Sequence, residues 1–159
     1  MSKSFPIRLA IAVLPVAAAS ILGGLVTSPA IPVWYAGLTK PSFNPPSWVF
    51  GPVWTVLYAM MAYAVFRILS LPSNTSGRSL ALNAFFVQLA LNASWSFAFF
   101  GMRSTMYGLM VIVPMMAAIV MTIITFMRVD KISAFLLVPY AAWVSFATLL
   151  NIELFRLNG

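Results

Sequence analysis

Apolar positions in this chain do not alternate and form no narrow stripe; they run on in long stretches broken by single basic residues. Residues 9–27 make the first stretch, with Arg8 just before it and Pro29 and Pro32 placed to stop a helix after it. Further stretches occupy residues 48–69, 79–101, 104–127 and 132–154. About 20 helical residues cross the roughly 30 Å of hydrocarbon in a bilayer, so each stretch predicts one spanning α-helix. Prolines 52, 114 and 139 fall in or near these runs. They are compatible with spanning helices, because neighbouring groups re-satisfy the freed carbonyls. A secretory signal peptide is the alternative for residues 9–27, but the apolar run is too long and no clean small-residue cleavage site is followed by soluble sequence. No internal repeat or low-complexity tract is present. The expected fold is an all-α integral membrane protein, a five-transmembrane-helix bundle forming one domain over residues 1–159.

Residues 28–47 break the pattern. They place Pro29, Pro32, Pro41, Pro45 and Pro46 around Trp34, Tyr35 and Phe43, with Trp48 immediately after. Proline fixes φ and shrinks the unfolded ensemble, so the loop is stiff. Its aromatics suit either an interfacial belt or a lid over a cavity in the bundle, and both readings stand.

Composition settles the solvent. The chain is 62% hydrophobic and 7% charged, whereas a soluble domain carries about a quarter charged residues. Two acids and nine bases cannot wet a water-facing surface, so the solvent is lipid. A net charge of +7 raises a nucleic-acid partner. Nothing supports one, because the bases stand singly between apolar runs rather than on one face. Flanking bases instead set orientation. Lys3, Arg8, Arg67, Arg78, Arg128 and Lys131 would lie on one side, with Lys40, Arg103 and Arg156 on the other. That count predicts a cytoplasmic N-terminus and a 28–47 loop facing away from the cytoplasm.

Cysteine and histidine are both absent, which removes disulfides, thiolate nucleophiles, Cys/His metal sites and imidazole bases. No Gly-rich phosphate loop is present either. Asp130, between Arg128 and Lys131, reads as a solvated charge, and Glu153 as a surface partner of Arg156 three residues on. A proton-coupled transporter generally uses an intramembrane carboxylate, and neither acid is central in a span.

Three faces remain. On the third span, Gln88, Asn92, Trp95, Ser96 and Phe99 recur at three- and four-residue steps and so share one side. Their amides could bond between helices or offer polar anchors in an apolar binding cavity. Trp54, Tyr58 and Met61 make a second face, and Tyr140, Trp143, Ala147 and Leu150 a third.

Three blocks also carry a resemblance. The first runs Trp34-Tyr35-Ala36-Gly37-Leu38-Thr39-Lys40-Pro41-Ser42-Phe43-Asn44-Pro45-Pro46-Ser47-Trp48 and on through Gly51-Pro52-Val53-Trp54 to Tyr58. The second is Gln88-Leu89-Ala90-Leu91-Asn92 through Trp95 to Phe99-Phe100-Gly101. The third is Val138-Pro139-Tyr140-Ala141-Ala142-Trp143 through Phe146-Ala147-Thr148 to Asn151. In order and spacing they resemble the TspO/translocator protein family, the tryptophan-rich sensory or peripheral benzodiazepine receptor-like proteins, in a bacterial form. The resemblance implies a five-helix bundle, often a homodimer, with a cavity open toward the first loop. It also implies binding of protoporphyrin IX and other tetrapyrroles, and of isoquinoline and benzodiazepine-type ligands. No cofactor is required; porphyrin enters as ligand. The positions it assigns to the cavity are Tyr35, Trp54, Tyr58, Asn92, Trp95, Ser96, Trp143, Ala147 and Leu150. Tyr107 stands where animal members carry a Trp, and the stretch from Leu149 to Arg156 lacks the Tyr of a sterol-binding pattern.

The function expected from this is a membrane-embedded binding or sensory protein for porphyrins, linked to tetrapyrrole or stress regulation. Transport of porphyrin or sterol-like molecules is one alternative. Light-dependent porphyrin breakdown is the other. It would use the readily oxidised indoles of Trp54 and Trp143 and needs no acid–base residue.

Overall fold

The computed structural model describes residues 4–159; Lys3, counted above for orientation, lies outside them. Six helices follow one another: α1 Phe5–Ala30, α2 Phe50–Ser70, α3 Arg78–Ser96, α4 Thr105–Val129, α5 Lys131–Leu136 and α6 Val138–Asn158. α2 is preceded by a 3-10 turn at Ser47–Val49, and α3 continues into a π-helical segment at Phe97–Gly101. With those extensions, and with α5 and α6 taken together, five helical segments are long and apolar enough to cross a membrane. The protein is therefore a five-helix integral membrane protein.

The first span begins earlier than expected, at Phe5, and the last ends later, at Asn158; two further differences fall at prolines. α1 does not stop before Pro29 but continues to Ala30. A proline in the last turn removes only one donor, and the turn is continued by Ile31 N–H to Thr27 O (3.1 Å) and Trp34 N–H to Ala30 O (2.9 Å). The fifth span, expected as one helix, divides at Leu137, two residues before Pro139. There the missing N–H favours a fresh helix start with proline in its first turn. Pro52 sits harmlessly in the first turn of α2, and α4 runs unbroken through Pro114.

The exterior is apolar, with Leu14, Leu25, Met110 and Val113 among the exposed side chains, as a lipid solvent requires. α3 is the most enclosed span. At the end of the bundle holding the α1 N-terminus, Met61, Ala64 and Ile68 of α2 close against Phe85 of α3 and Ile119 and Phe126 of α4. Asp130 is not the solvated charge expected. Its carboxylate accepts from Arg67 Nε at 2.8 Å and Nη2 at 3.1 Å, and it caps α5 through the Ser133 N–H and hydroxyl. The bridge ties α2 to the start of the fifth span. Glu153 and Arg156 do form the expected pair, at 2.6 Å.

Candidate functional site: an aromatic cavity under the first loop

At the other end the same helices part around a cavity of about 420 Å³. α1, α2, α3, α6 and the first loop line it, and α4 packs behind. Tyr35, Trp54, Tyr58, Asn92, Trp95, Ser96, Trp143, Ala147 and Leu150 all meet on its wall. Helical spacing explains the convergence: Trp54 and Tyr58, Asn92, Trp95 and Ser96, and Trp143, Ala147 and Leu150 each fall on one side of a helix.

The floor is a hydrogen-bonded relay. Tyr58 OH donates to Asn92 Oδ1 at 2.6 Å, Asn92 Nδ2 to Tyr140 OH at 2.9 Å, and Tyr140 OH to Gln88 Oε1 at 2.9 Å. Gln88 and Tyr140 lie below the cavity rather than on its wall, so Gln88 is an interhelical linker. Met61, expected on a face with Trp54 and Tyr58, sits still deeper with no exposed surface, 3.9 Å from Gln88 Nε2. Buried polar groups are costly unless paired, and this relay gives each member a partner.

The walls are rings held by rings. Trp95 stacks on Phe99 (5.1 Å between centroids), Trp54 leans on Tyr58 (5.5 Å), and Trp143 on Phe146 (5.5 Å). Trp95 Nε1 donates to Asn151 Oδ1 at 3.3 Å, while Asn151 Nδ2 donates to Thr105 O at 2.9 Å. Asn151 thereby fixes an indole against α4. A Cβ on Gly108 would lie 2.7 Å from Asn151 Oδ1 and 2.5 Å from Phe99 Cδ2, so only glycine lets α4 approach this closely. Trp143 Nε1 is different: it is buried without a hydrogen-bond partner among the described residues.

The loop forms the roof. Tyr35 is buried against Phe50, Phe99 and Phe100, and its hydroxyl donates to Asn44 Oδ1 at 2.6 Å. Burial pushes the Tyr35 phenol up to about 12, with the Asn44 bond opposing, so it stays a protonated donor. Lys40 lies 5.0 Å from the Tyr35 ring centroid and donates to the carbonyls of Ala36 and Leu38. Thr39 and Asn158 exchange two hydrogen bonds of 2.9 Å, fastening the loop to the end of α6. The loop is thus a lid at Tyr35, while Trp48, 75% exposed, lines the cavity from its rim. Exposed lining residues occur at Gly24, Ser28, Ser47, Trp48, Gly51 and Thr55. The opening therefore runs between α1 and α2 up to the ends of the loop.

The α1 wall is what sequence reasoning missed. Ser20, Gly23, Gly24 and Thr27 line the cavity, and a Cβ on Gly23 would stand 3.1 Å from Ser96 Oγ. Their three- and four-residue spacing is a usable signal, but small residues lack a polarity contrast. Tyr107 is exposed and not among the lining residues.

Fold and cavity together define a class: a five-helix membrane protein with one aromatic chamber in one half of the bundle. Residues 11–157 match the TspO/MBR family, and the chain belongs to it. It is 45% identical over 125 residues to the tryptophan-rich protein TspO of Chlorobaculum tepidum, covering 79% of each chain. The TspO of Archaeoglobus fulgidus is 36% identical over 153 residues, 96% of this chain and 98% of that one. The human translocator protein is 40% identical over 126 residues, 79% of this chain and 75% of its own.

Proposed function

We propose that this protein is a membrane-embedded binding or sensory protein for porphyrins, protoporphyrin IX and related tetrapyrroles among them, and for similar flat apolar ligands such as isoquinolines and benzodiazepines. The observation that carries this reading is four indoles, Trp54, Trp95 and Trp143 on the wall and Trp48 at the rim, around one largely apolar chamber. Flat rings gain roughly 0.5–1.5 kcal/mol per aromatic pair beyond area burial. The unpartnered Trp143 N–H would welcome an acceptor on the macrocycle's edge. The roles of Tyr35, Tyr58, Asn92, Ser96, Ala147 and Leu150 as ligand contacts belong to the same proposal. So do a homodimer, a bacterial cell membrane and a cytoplasmic N-terminus.

Titration of the purified protein with protoporphyrin, followed by tryptophan fluorescence, tests it. Saturable quenching that weakens in Trp143→Ala is expected. Quenching that never saturates would sink the reading.

A second reading has its own observation, since the readily oxidised indoles of Trp54 and Trp143, on different helices, share the chamber. Illumination of the complex in air would then yield a spectral product that Trp54→Phe and Trp143→Phe lose while still binding. The name of the human relative suggests translocation instead, and gradient-dependent flux of porphyrin into sealed vesicles would favour that reading.

A further inference from the structure

The end of the bundle away from the cavity carries Arg8, Arg67, Arg78, Arg128 and Lys131 against one acid, Asp130. Arg67 is taken by that acid. Arg8 and Arg78 are not. Both turn onto the last turn of α2: Arg8 Nη1 donates to Ser70 O at 3.4 Å, and Arg78 Nε and Nη2 to Ile68 O and Leu69 O, each at 3.1 Å.

The final carbonyls of a helix lack internal partners and carry its negative end, which explains why the two guanidinium groups gather there. Their acceptors are three consecutive carbonyls, so both side chains reach the same helix end. Contact of Phe5 with Phe66, 5.7 Å between ring centroids, holds the start of α1 against the same turn. Arg8 Nε is moreover buried without a partner among the described residues.

Partial carbonyl charge does not neutralise two full positive charges. Guanidinium presents a planar fork of donors that matches phosphate oxygens. Exposed Phe5, Ile7, Leu9 and Leu80 flank the two arginines in sequence. A free phosphate would make no use of that apolar rim, whereas acyl chains would lie along it. Choline, a second cation beside the arginines, would be repelled.

We propose that Arg8 and Arg78 form a binding site for the phosphate of an anionic phospholipid at this end of the bundle, separate from the aromatic cavity. Native mass spectrometry of the purified full chain, offered phosphatidylglycerol and phosphatidylcholine in equal amounts, tests it. The wild type should retain phosphatidylglycerol preferentially, and Arg8→Gln and Arg78→Gln should each reduce that preference about five-fold, as expected for one basic group near an anionic surface. Arg103→Gln at the opposite end should leave it unchanged. Arg78→Gln could unravel the end of α2; Arg8→Gln, which gives up one long contact, keeps the test decisive. Equal retention of the two lipids, or an unchanged preference in folded Arg8→Gln, overturns the site. Displacement of the lipid by excess inorganic phosphate overturns the lipid assignment in favour of a free-anion site.

Discussion

The two ends of this bundle are built by the same helices and behave as different materials. Near the Arg67–Asp130 bridge, Met61, Ala64, Ile68, Phe85, Ile119 and Phe126 leave no surface uncovered. Toward the loop, the same α2 and α3 stand back from a chamber of about 420 Å³. The difference lies in side-chain size along each helix. Ser20, Gly23 and Gly24 of α1, Gly51 of α2 and Ala147 of α6 are too small to fill the space before the aromatic wall of α3. Apolar burial does not drive helices together within lipid, so packing and hydrogen bonds must. The dense end relies chiefly on packing, with the Arg67–Asp130 bridge at its margin. The open end relies on polar ties: the Tyr58–Asn92–Tyr140 floor, the Asn151 bridge and the Thr39–Asn158 fastening.

If that division holds, damage at one end should register as stability and damage at the other as binding. The largest stability loss is expected from Phe85→Ala. Phe85 is fully buried and stacks on Phe126 with centroids 6.0 Å apart. Emptying such a site costs about 3–5 kcal/mol. Thermal unfolding in detergent should fall accordingly, while protoporphyrin affinity of the fraction still folded stays within error. A matching loss of affinity would show that the two ends are not independent.

Asn92→Leu tests the boundary between them. The substitution keeps volume but strips Tyr58 OH of its acceptor and leaves Tyr140 only Gln88. A buried polar group left without its partner costs about 1–3 kcal/mol. Both unfolding temperature and porphyrin affinity should drop, because the floor belongs to both ends. A change in only one of them would assign Asn92 to that end.

How far the sequence discloses this division follows from the physics of each signal. Spans are legible because crossing lipid demands long uncharged runs, and no other constraint produces them at these lengths. The three-and-four spacing of Asn92, Trp95 and Ser96 discloses a face, and the family resemblance assigns that face to a cavity. Hidden from both is the α1 wall, since Gly23 and Gly24 contribute by being small. Gln88 and Asn92 sit one turn apart and look equivalent, yet only Asn92 reaches the cavity; depth along a helix is not written in periodicity. The Arg67–Asp130 bridge joins residues 63 apart in sequence, and no local pattern points across that distance.

A smaller effect is expected from Ala147→Thr. Ala147 lines the chamber one turn from Trp143, so the added methyl and hydroxyl project toward space rather than into a filled core. The stability penalty should stay near the lower end of overpacking, about 1 kcal/mol, with porphyrin affinity lowered about five-fold. Calorimetry and fluorescence titration on the same preparation separate the two. Unchanged affinity together with unchanged stability would mean that residue 147 takes no part in the wall.

The smallest effect belongs to the dense end and to acid. The Arg67 hydrogen bond holds the Asp130 carboxyl down at about 2, with Ser133 helping and partial burial opposing. An unfolded aspartate titrates near about 3.9, so the folded state binds the proton less readily than the unfolded chain does. The stabilising contribution is therefore complete above about pH 5 and is lost as pH falls toward about 2. Because both partners keep some solvent contact, screening reduces its worth to about 1 kcal/mol. Unfolding temperature should decline with acid in the wild type and respond much less in Asp130→Asn, so that the two converge at low pH. Two parallel declines would trace acid sensitivity to another group and would remove the bridge from the account of the dense end.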